Sequence, residues 1–150
     1  MLARTARGGQ AGLACARMPI RGIDHVAITV TDVESSVSWY TRVLGANPLY
    51  LAEWRAGKLP VVILQLGESR ISVHAAAAPA KPHARAPTPG SADLCFRWSG
   101  PLSDAEAHLS AFGIEIEEGP LPRPAADGKL GSSLYFRDRD GNLLELLSTD

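Results

Sequence analysis

The feature that most constrains the fold is an internal repeat. A shift of 68 residues places "DHVAITVTDVESSVSWYTRVLG" (24–45) over "ADLCFRWSGPLSDAEAHLSAFG" (92–113) without a gap. Each copy contains a strand-like segment, a short polar loop, an amphipathic helical pattern and a glycine where the helix is expected to end. In the first copy Val33, Val37 and Tyr40 form the apolar stripe and Gly45 supplies the stop. The repeat predicts two copies of one structural unit.

Strand-like segments follow both predicted helices. They are "NPLYLAEW", "PVVILQLG" and "RISVHA" after Gly45, and "IEIEEG", "GSSLYFRDRDG" and "NLLELLS" after Gly113. Ser103 or Asp104 is expected to cap the second helix. Each half therefore reads βαβββ, which predicts an α+β fold built from two such modules.

The predicted boundaries divide the chain into a tail, two modules and a connector. Residues 19–150 are expected to form one domain, with module one at about 20–76, a connector at about 77–90 and module two at about 91–149. The segment "AAAAPAKPHARAPTPG" (75–90) is rich in alanine and proline and has no periodicity, which favours a connector. His83, which lies in it, and His108, on the second helix, are interpreted as surface residues.

The first 18 residues carry three arginines and no acid, a composition similar to that of a transit peptide. We expect a disordered tail or a mis-called start instead, with Met18 as the natural beginning. The apolar runs of this segment are too short for a secretory signal, so a cytoplasmic protein is expected.

Composition argues against several classes of partner. The chain has 15 basic and 16 acidic residues and a net charge of −1, so no electrostatic footprint for nucleic acid or anionic lipid is present. No apolar run approaches the roughly 20 residues that a membrane-spanning helix needs. A small-molecule partner is therefore expected.

Two ionisable side chains stand within apolar, strand-like segments. In "GIDHVAITV" (22–30), alternation puts His25 on the face of Ala27 and Thr29. Such a histidine is commonly a hydrogen-bonded packing or surface residue. Glu145 lies within "LLELL", where it is either a solvent-facing edge residue or a buried carboxylate that needs a partner. Cys95, within a third apolar run, is expected to belong to the core.

The two βαβββ modules, together with "DHVAITVTD", "WYTRVLG" and "YFRDRDGNLLEL", resemble the vicinal-oxygen-chelate superfamily over roughly residues 20–148. This superfamily includes glyoxalase I, extradiol dioxygenases, fosfomycin-modifying enzymes and bleomycin-binding proteins. The segments "PTPGSADLCF" and "IEEGPLPRP" make the chain most similar to glyoxalase-domain-containing proteins. The resemblance implies cupped mixed sheets with the helices on the outside.

The resemblance also implies a divalent metal ion inside the cup, with His25 and Glu145 at the ligand positions. The fourth-strand ligand of the family matches Ser72 or a near neighbour; His74, two residues further on the same face, is taken as the third ligand, the alternative being a pocket-lining or surface histidine. Asp93, the repeat-mate of His25, is a ligand or a residue that serves a turn or orients a ligand.

A metal-dependent enzyme acting on a small oxygen-rich substrate follows as the expected function. Glyoxalase-like lyase or isomerase chemistry and dioxygenase chemistry are both expected to be compatible with Zn, Ni, Mn or Fe(II), one ion per site. Glu145 is expected to be catalytic, and Arg123 and Tyr135 to bind substrate, although a solvated loop arginine is the simpler interpretation of Arg123. The alternative is a metal-free drug- or metabolite-binding protein of the bleomycin-resistance type. A homodimer is expected.

Overall fold

The structure, a computed structural model, describes residues 19–150. The first half forms β1 (Val26–Val30), α1 (Val33–Leu44), β2 (Asn47–Leu49), α2 (Leu51–Arg55), β3 (Val62–Leu66) and β4 (Ser69–Ala75). The second half forms β5 (Asp93–Arg97), α3 (Leu102–Ala111), β6 (Glu118–Pro124), β7 (Leu130–Arg137) and β8 (Leu143–Ser148). The prediction for residues 1–18 lies outside the described residues.

Each half builds one four-stranded mixed sheet, with strand orders β1-β4-β3-β2 and β5-β8-β7-β6. The first strand of each half pairs in parallel with the last, and the remaining pairs are antiparallel. A parallel pair needs a crossover connection, which includes the helix that follows β1 or β5. The predicted α+β fold of two βαβββ modules is confirmed.

One face of each sheet is buried against a helix, and the other is left open. In β1 the side chains of Ile28 and Val30 are buried among those of α1, whereas Ala27 on the opposite face is exposed. In β8 the corresponding buried residues are Leu144 and Leu146. Period-two alternation along each strand produces these two faces.

Helix α1 begins and ends where the sequence predicts. The Asp32 carboxylate accepts a hydrogen bond from the backbone N–H of Ser35 at 2.6 Å, which caps the first turn. Gly45 adopts φ 67°, a left-handed conformation that disfavours side chains with a Cβ, and its N–H donates to the carbonyl of Tyr40. These two local contacts set the length of the helix.

Three details of the predicted secondary structure are wrong. The segment "NPLYLAEW" divides into β2 and the short helix α2, with Tyr50 between them at φ 61°. Neither Ser103 nor Asp104 caps α3, because the helix begins at Leu102 and Pro101 occupies the cap position. The first strand after α3 begins only at Glu118, so most of "IEIEEG" precedes β6.

The two modules are joined by hydrogen bonds from the turn between β7 and β8, of which the one from Tyr40 to Asp138 is buried. Tyr40 Oη in α1 donates to Asp138 Oδ2 at 2.8 Å. Asp140 accepts from the backbone N–H of Thr31 at 2.8 Å and from the hydroxyl of Ser36 at 3.1 Å. The turn therefore ties module two to the start of α1. Within residues 19–150, no helix has the length and apolarity required to span a membrane.

Candidate functional site

The open face of the first sheet forms a concavity of about 380 Å³. Its walls come from β1, from β4 and from the connector, with no residue of the second module: His25, Ala27, Thr29, His74, Pro82, His83, Ala84 and Pro87. Three histidines, His25, His74 and His83, therefore line this concavity.

His25 directly precedes β1 instead of lying within it, and its side chain is 53% exposed. Its Nδ1 lies 2.8 Å from Asp24 Oδ1, a contact that lowers the pKa of the Asp24 carboxyl. Since a carboxylate only accepts, Nδ1 carries the proton when the ring is neutral, and Nε2 keeps its lone pair. A carboxylate on one ring nitrogen is the usual arrangement for a metal-binding histidine.

His74 is on the same face of the sheet but at a different level. It lies opposite Thr29 in the register of β1 and β4, whereas Ser72 lies opposite Ala27. The levels of His25 and His74 are thus four residues apart, or about 13 Å at 3.3 Å per residue. Burial, and then the neighbouring His83 and His25, lower the pKa of the His74 imidazole. The neutral form, which binds metals, is favoured.

The open face of the second sheet forms a separate concavity of about 470 Å³, which contains Glu145. Glu145 in β8 lies opposite Cys95 in β5 and Tyr135 in β7, so the three side chains share one face. Cys95 is exposed on this face, and the prediction that it belongs to the core is wrong. Although the residue is exposed, partial burial of its thiol and then the Glu145 carboxylate raise the pKa of Cys95 to about 12.

Arg123 and Tyr135 form a fixed pair at this second concavity. Arg123 Nε donates to Tyr135 Oη at 2.8 Å, and its guanidinium carbon lies 5.6 Å from the centre of the tyrosine ring. Arg123 belongs to β6, so the prediction that it lies in a loop is wrong. Its Nη1 donates to the carbonyl oxygen of Pro122 at 3.1 Å, so Nη2 is the guanidinium nitrogen that remains to contact a carboxylate or phosphate.

Asp93, the first residue of β5, is exposed and lies opposite Leu143. Strand alternation puts it on the same face as Cys95, two residues along the strand from the level of Glu145. By its place in the repeat it corresponds to His25, and Glu145 corresponds in the same way to Ser72. Module one therefore has a serine hydroxyl where module two has a carboxylate, so the open faces of the two sheets differ in chemistry.

The predicted ligands do not converge within one chain. His25 and His74 line the first concavity, whereas Glu145 lines the second. Among residues 19–150, no three histidine, cysteine or acidic side chains are arranged as a ready metal site. The donor types nevertheless fit a divalent transition ion, since His25 presents Nε2 and Glu145 a half-buried carboxylate.

Of the two histidines interpreted as surface residues, one matches that interpretation and one does not. His83 is exposed, as expected of a surface residue, yet it lines the first concavity. His108 is part-buried, with Nε2 2.6 Å from the carbonyl oxygen of Val43, and packs against Trp98 and Phe112, so its surface assignment is wrong. Neither placement could be derived from periodicity, because both depend on contacts between distant segments.

A family model described as the glyoxalase/bleomycin resistance protein/dioxygenase superfamily matches residues 22–146. The virulence protein STM3117 of Salmonella typhimurium is 38% identical over 130 residues, covering 87% of this chain and 85% of that protein. Its crystal structure superposes with a TM-score of 0.79 at 37% identity, covering 89% of this chain and all (100%) of that one.

Two further proteins extend the comparison. The glyoxalase domain-containing protein RDO1 of Mycosarcoma maydis is 36% identical over 132 residues, covering 88% of this chain and 70% of that protein. The fosfomycin resistance protein FosX of Listeria monocytogenes, solved with Mn(II) and sulfate, shares the fold at 18% identity and a TM-score of 0.59, covering 87% of this chain and 92% of that one.

Proposed function

The chain belongs to the glyoxalase/bleomycin resistance protein/dioxygenase superfamily, and we propose that it is a metal-dependent enzyme of that superfamily acting on a small oxygen-rich substrate. The observation that carries the proposal is the pairing of His25 Nδ1 with Asp24, which leaves Nε2 available at the open face of the first sheet. Glu145 supplies a carboxylate at the corresponding face of the second sheet. Zn, Ni, Mn and Fe(II) all accept such donors.

The residues of the second concavity have complementary roles in this proposal. Glu145 would hold the ion together with His25, and its carboxylate is placed to take up a proton from the substrate and return it to the product. Arg123, fixed by Tyr135, holds an anionic group of the substrate. The bound ion supplies positive charge where negative charge develops on adjacent substrate oxygens. Lyase, isomerase and dioxygenase chemistry share these requirements.

We further propose that two chains pair, so that the first concavity of one chain meets the second concavity of its partner. Support comes from the separation of His25 and Glu145 into two concavities of one chain. The segment 75–90, which starts at the last residue of β4 and includes the connector, contains 16 residues with four prolines. At roughly 3.1 Å per residue such a segment spans tens of ångströms, so the exchange of modules between chains is sterically open.

The test compares metal affinity in His25→Ala, Glu145→Ala and the double variant by titration calorimetry with Zn²⁺ and Mn²⁺. If both residues bind one ion, the double substitution loses about as much affinity as either single one, because their contributions are not independent. Purely additive losses would contradict a shared ion. Glu53→Ala, an exposed carboxylate of α2 outside both concavities, serves as control and leaves the affinity unchanged. Screening glyoxalase and dioxygenase substrates on each reconstituted metal then separates the reaction types.

A metal-free binding protein is the second candidate function. It is favoured by the Arg123–Tyr135 pair, whose hydrogen bond involves none of the predicted metal ligands, and by the lack of convergent ligands within residues 19–150. This alternative predicts that the purified protein binds an anionic ligand with the same affinity in the presence and absence of a chelator. A chelator-dependent affinity favours the enzyme.

A further inference from the structure

Two guanidinium groups line the second concavity, one from each edge of its sheet. Arg97 lies in β5 and Arg123 in β6, and these are the two edge strands in the order β5-β8-β7-β6. Strands β8 and β7 lie between them, so the edge strands are about 14 Å apart at roughly 4.8 Å per strand. Among the described residues that line the concavity, Glu145 supplies the one carboxylate. The two guanidiniums therefore outnumber the carboxylate, and the lining favours an anionic ligand.

Arg97 is held at this concavity by contacts on both sides. It lies opposite Leu147 in β8, two residues along the strand from the level of Glu145, and strand alternation puts it on the open face. Its Nη1 donates to Thr149 Oγ1 at 2.9 Å, and its Nη2 lies 3.3 Å from Asp127 Oδ1. A guanidinium has more N–H donors than these two contacts use. The ion pair with Asp127 also shows that a carboxylate fits against Arg97.

Arg123 is fixed at the opposite edge of the sheet. Its Nε donates to Tyr135 Oη and its Nη1 to the carbonyl oxygen of Pro122, so Nη2 remains for a ligand. Tyr135 lies opposite Glu145 on the neighbouring strand, so this hydrogen bond turns the guanidinium from the edge of the sheet toward the level of Glu145. The two guanidiniums are therefore placed on opposite sides of the Glu145 carboxylate.

We propose that the substrate of the second concavity is a small dicarboxylate, with one carboxylate bound by Arg97 and the other by Arg123. The inference rests on the proposed function and deepens it, because it names the substrate class of the same site and makes Arg97 a specificity-determining residue. A planar guanidinium matches the geometry of a carboxylate. A substrate bound at both ends crosses Glu145, so its central atoms lie beside the group that takes up the proton.

The turn between β6 and β7 competes with such a substrate. Asp127 in this turn contacts Arg97, and the preceding residues Ala125 and Ala126 line the concavity. The side chains of Arg97 and Asp127 are 43% and 45% exposed, so their ion pair contributes little stability and a ligand carboxylate can replace it. Asp127→Asn removes the competing charge but keeps an oxygen for the backbone N–H of Lys129, which donates to Asp127 Oδ1 at 3.1 Å. This substitution therefore frees Arg97 for a ligand without removing the hydrogen bond within the turn.

The test measures the binding of linear dicarboxylates, from succinate to suberate, to the full chain dialysed free of metal. Titration calorimetry compares each dicarboxylate with the monocarboxylate of equal length. At least one dicarboxylate is expected to bind about tenfold or more tightly than its monocarboxylate, since a hydrogen bond to a charged group contributes about an order of magnitude to affinity. This preference is expected to disappear in Arg97→Gln and in Arg123→Gln, whereas Asp127→Asn is expected to strengthen dicarboxylate binding severalfold. Arg55→Gln removes an exposed, ion-paired guanidinium of α2 outside the concavity and is the matched control with unchanged preference.

Dicarboxylates that bind no more tightly than the monocarboxylates, or an unchanged preference in Arg97→Gln, would overturn the inference. The stronger binding expected for Asp127→Asn cannot result from misfolding, so it supports the inference independently of the losses. A Zn²⁺ titration separates this inference from the proposed function. A dicarboxylate preference in a protein that takes up no metal supports the inference and contradicts the metal-dependent function. Metal bound through His25 and Glu145 without a dicarboxylate preference supports that function and overturns the inference.

Discussion

At the scale of single residues, the chemistry of the second concavity depends on which side chains lie opposite Glu145. Cys95 is its neighbour in the parallel ladder, and burial followed by the carboxylate raises the pKa of the thiol to about 12. An ordinary cysteine has a pKa of about 8.5. The thiol of Cys95 is therefore protonated at neutral pH, which argues against a nucleophilic role in the absence of a metal.

This environment predicts slow alkylation of Cys95. In a Cys15→Ser background, iodoacetamide at pH 8 is expected to react roughly three orders of magnitude more slowly than with an ordinary thiol, because the thiolate is scarce. Glu145→Gln removes the neighbouring negative charge, so the pKa falls and the inflection of the rate profile moves to lower pH. The profile of reaction rate against pH measures the shift. Equal rates in both proteins would show that Glu145 does not act on the thiol.

At the scale of secondary-structure elements, the end of α1 depends on one backbone conformation. Gly45 has φ 67°, and a Cβ built there meets nothing within 4 Å. The free-energy cost of a side chain at this position thus comes from the left-handed backbone conformation and not from contact with neighbouring atoms.

Gly45→Ala is accordingly expected to lower the free energy of unfolding by about 1 kcal/mol. Asparagine tolerates the left-handed region better, so Gly45→Asn is expected to lose less. Urea denaturation monitored by circular dichroism measures both values. Equal stability of Gly45→Ala and the wild type would mean that the helix ends differently in solution.

The elements that the sequence predicts are those whose pattern is local. The alternation in β1 and the apolar stripe of α1 directly reflect which faces are buried, and they also predict the open face of His25. Helix α2 has only five residues, too few for a helical period, and β6 contains three prolines that resemble a loop. His83 could not be assigned to the concavity, because the connector has no period and its position depends on tertiary contacts.

At the scale of the whole molecule, the two modules are held by a buried carboxylate. Asp138, 8% exposed, accepts from Tyr40 Oη and from Asn142 Nδ2, each at 2.8 Å, and from two backbone N–H groups at 2.9 Å. Tyr40 and Asp138 are 98 residues apart in sequence. Their hydrogen bond fixes α1 of module one against the last hairpin of module two.

Asp138→Ala is expected to lower the free energy of unfolding by about 3 kcal/mol, because it leaves the buried Tyr40 hydroxyl and several other donors without an acceptor. Tyr40→Phe is expected to cost less, since Asp138 keeps its other donors. In the double variant the losses are expected to be less than additive. Urea denaturation of the wild type, the two single variants and the double variant gives a double-mutant cycle. Fully additive losses of stability would contradict a direct interaction between Tyr40 and Asp138.

The separation of the two concavities makes assembly a direct test of the proposed site. If His25 of one chain and Glu145 of its partner bind the same ion, a heterodimer of a His25→Ala chain and a Glu145→Ala chain contains one intact site and one site that lacks both residues. Each parent homodimer contains only damaged sites. Differently tagged chains allow the heterodimer to be purified, and a chelator is added at a concentration that strips both parents. The heterodimer is then expected to retain about half the metal of the wild-type dimer, because closed two-fold symmetry gives two equivalent sites. Heterodimers that retain no more metal than the parents would place His25 and Glu145 of any shared site in the same chain.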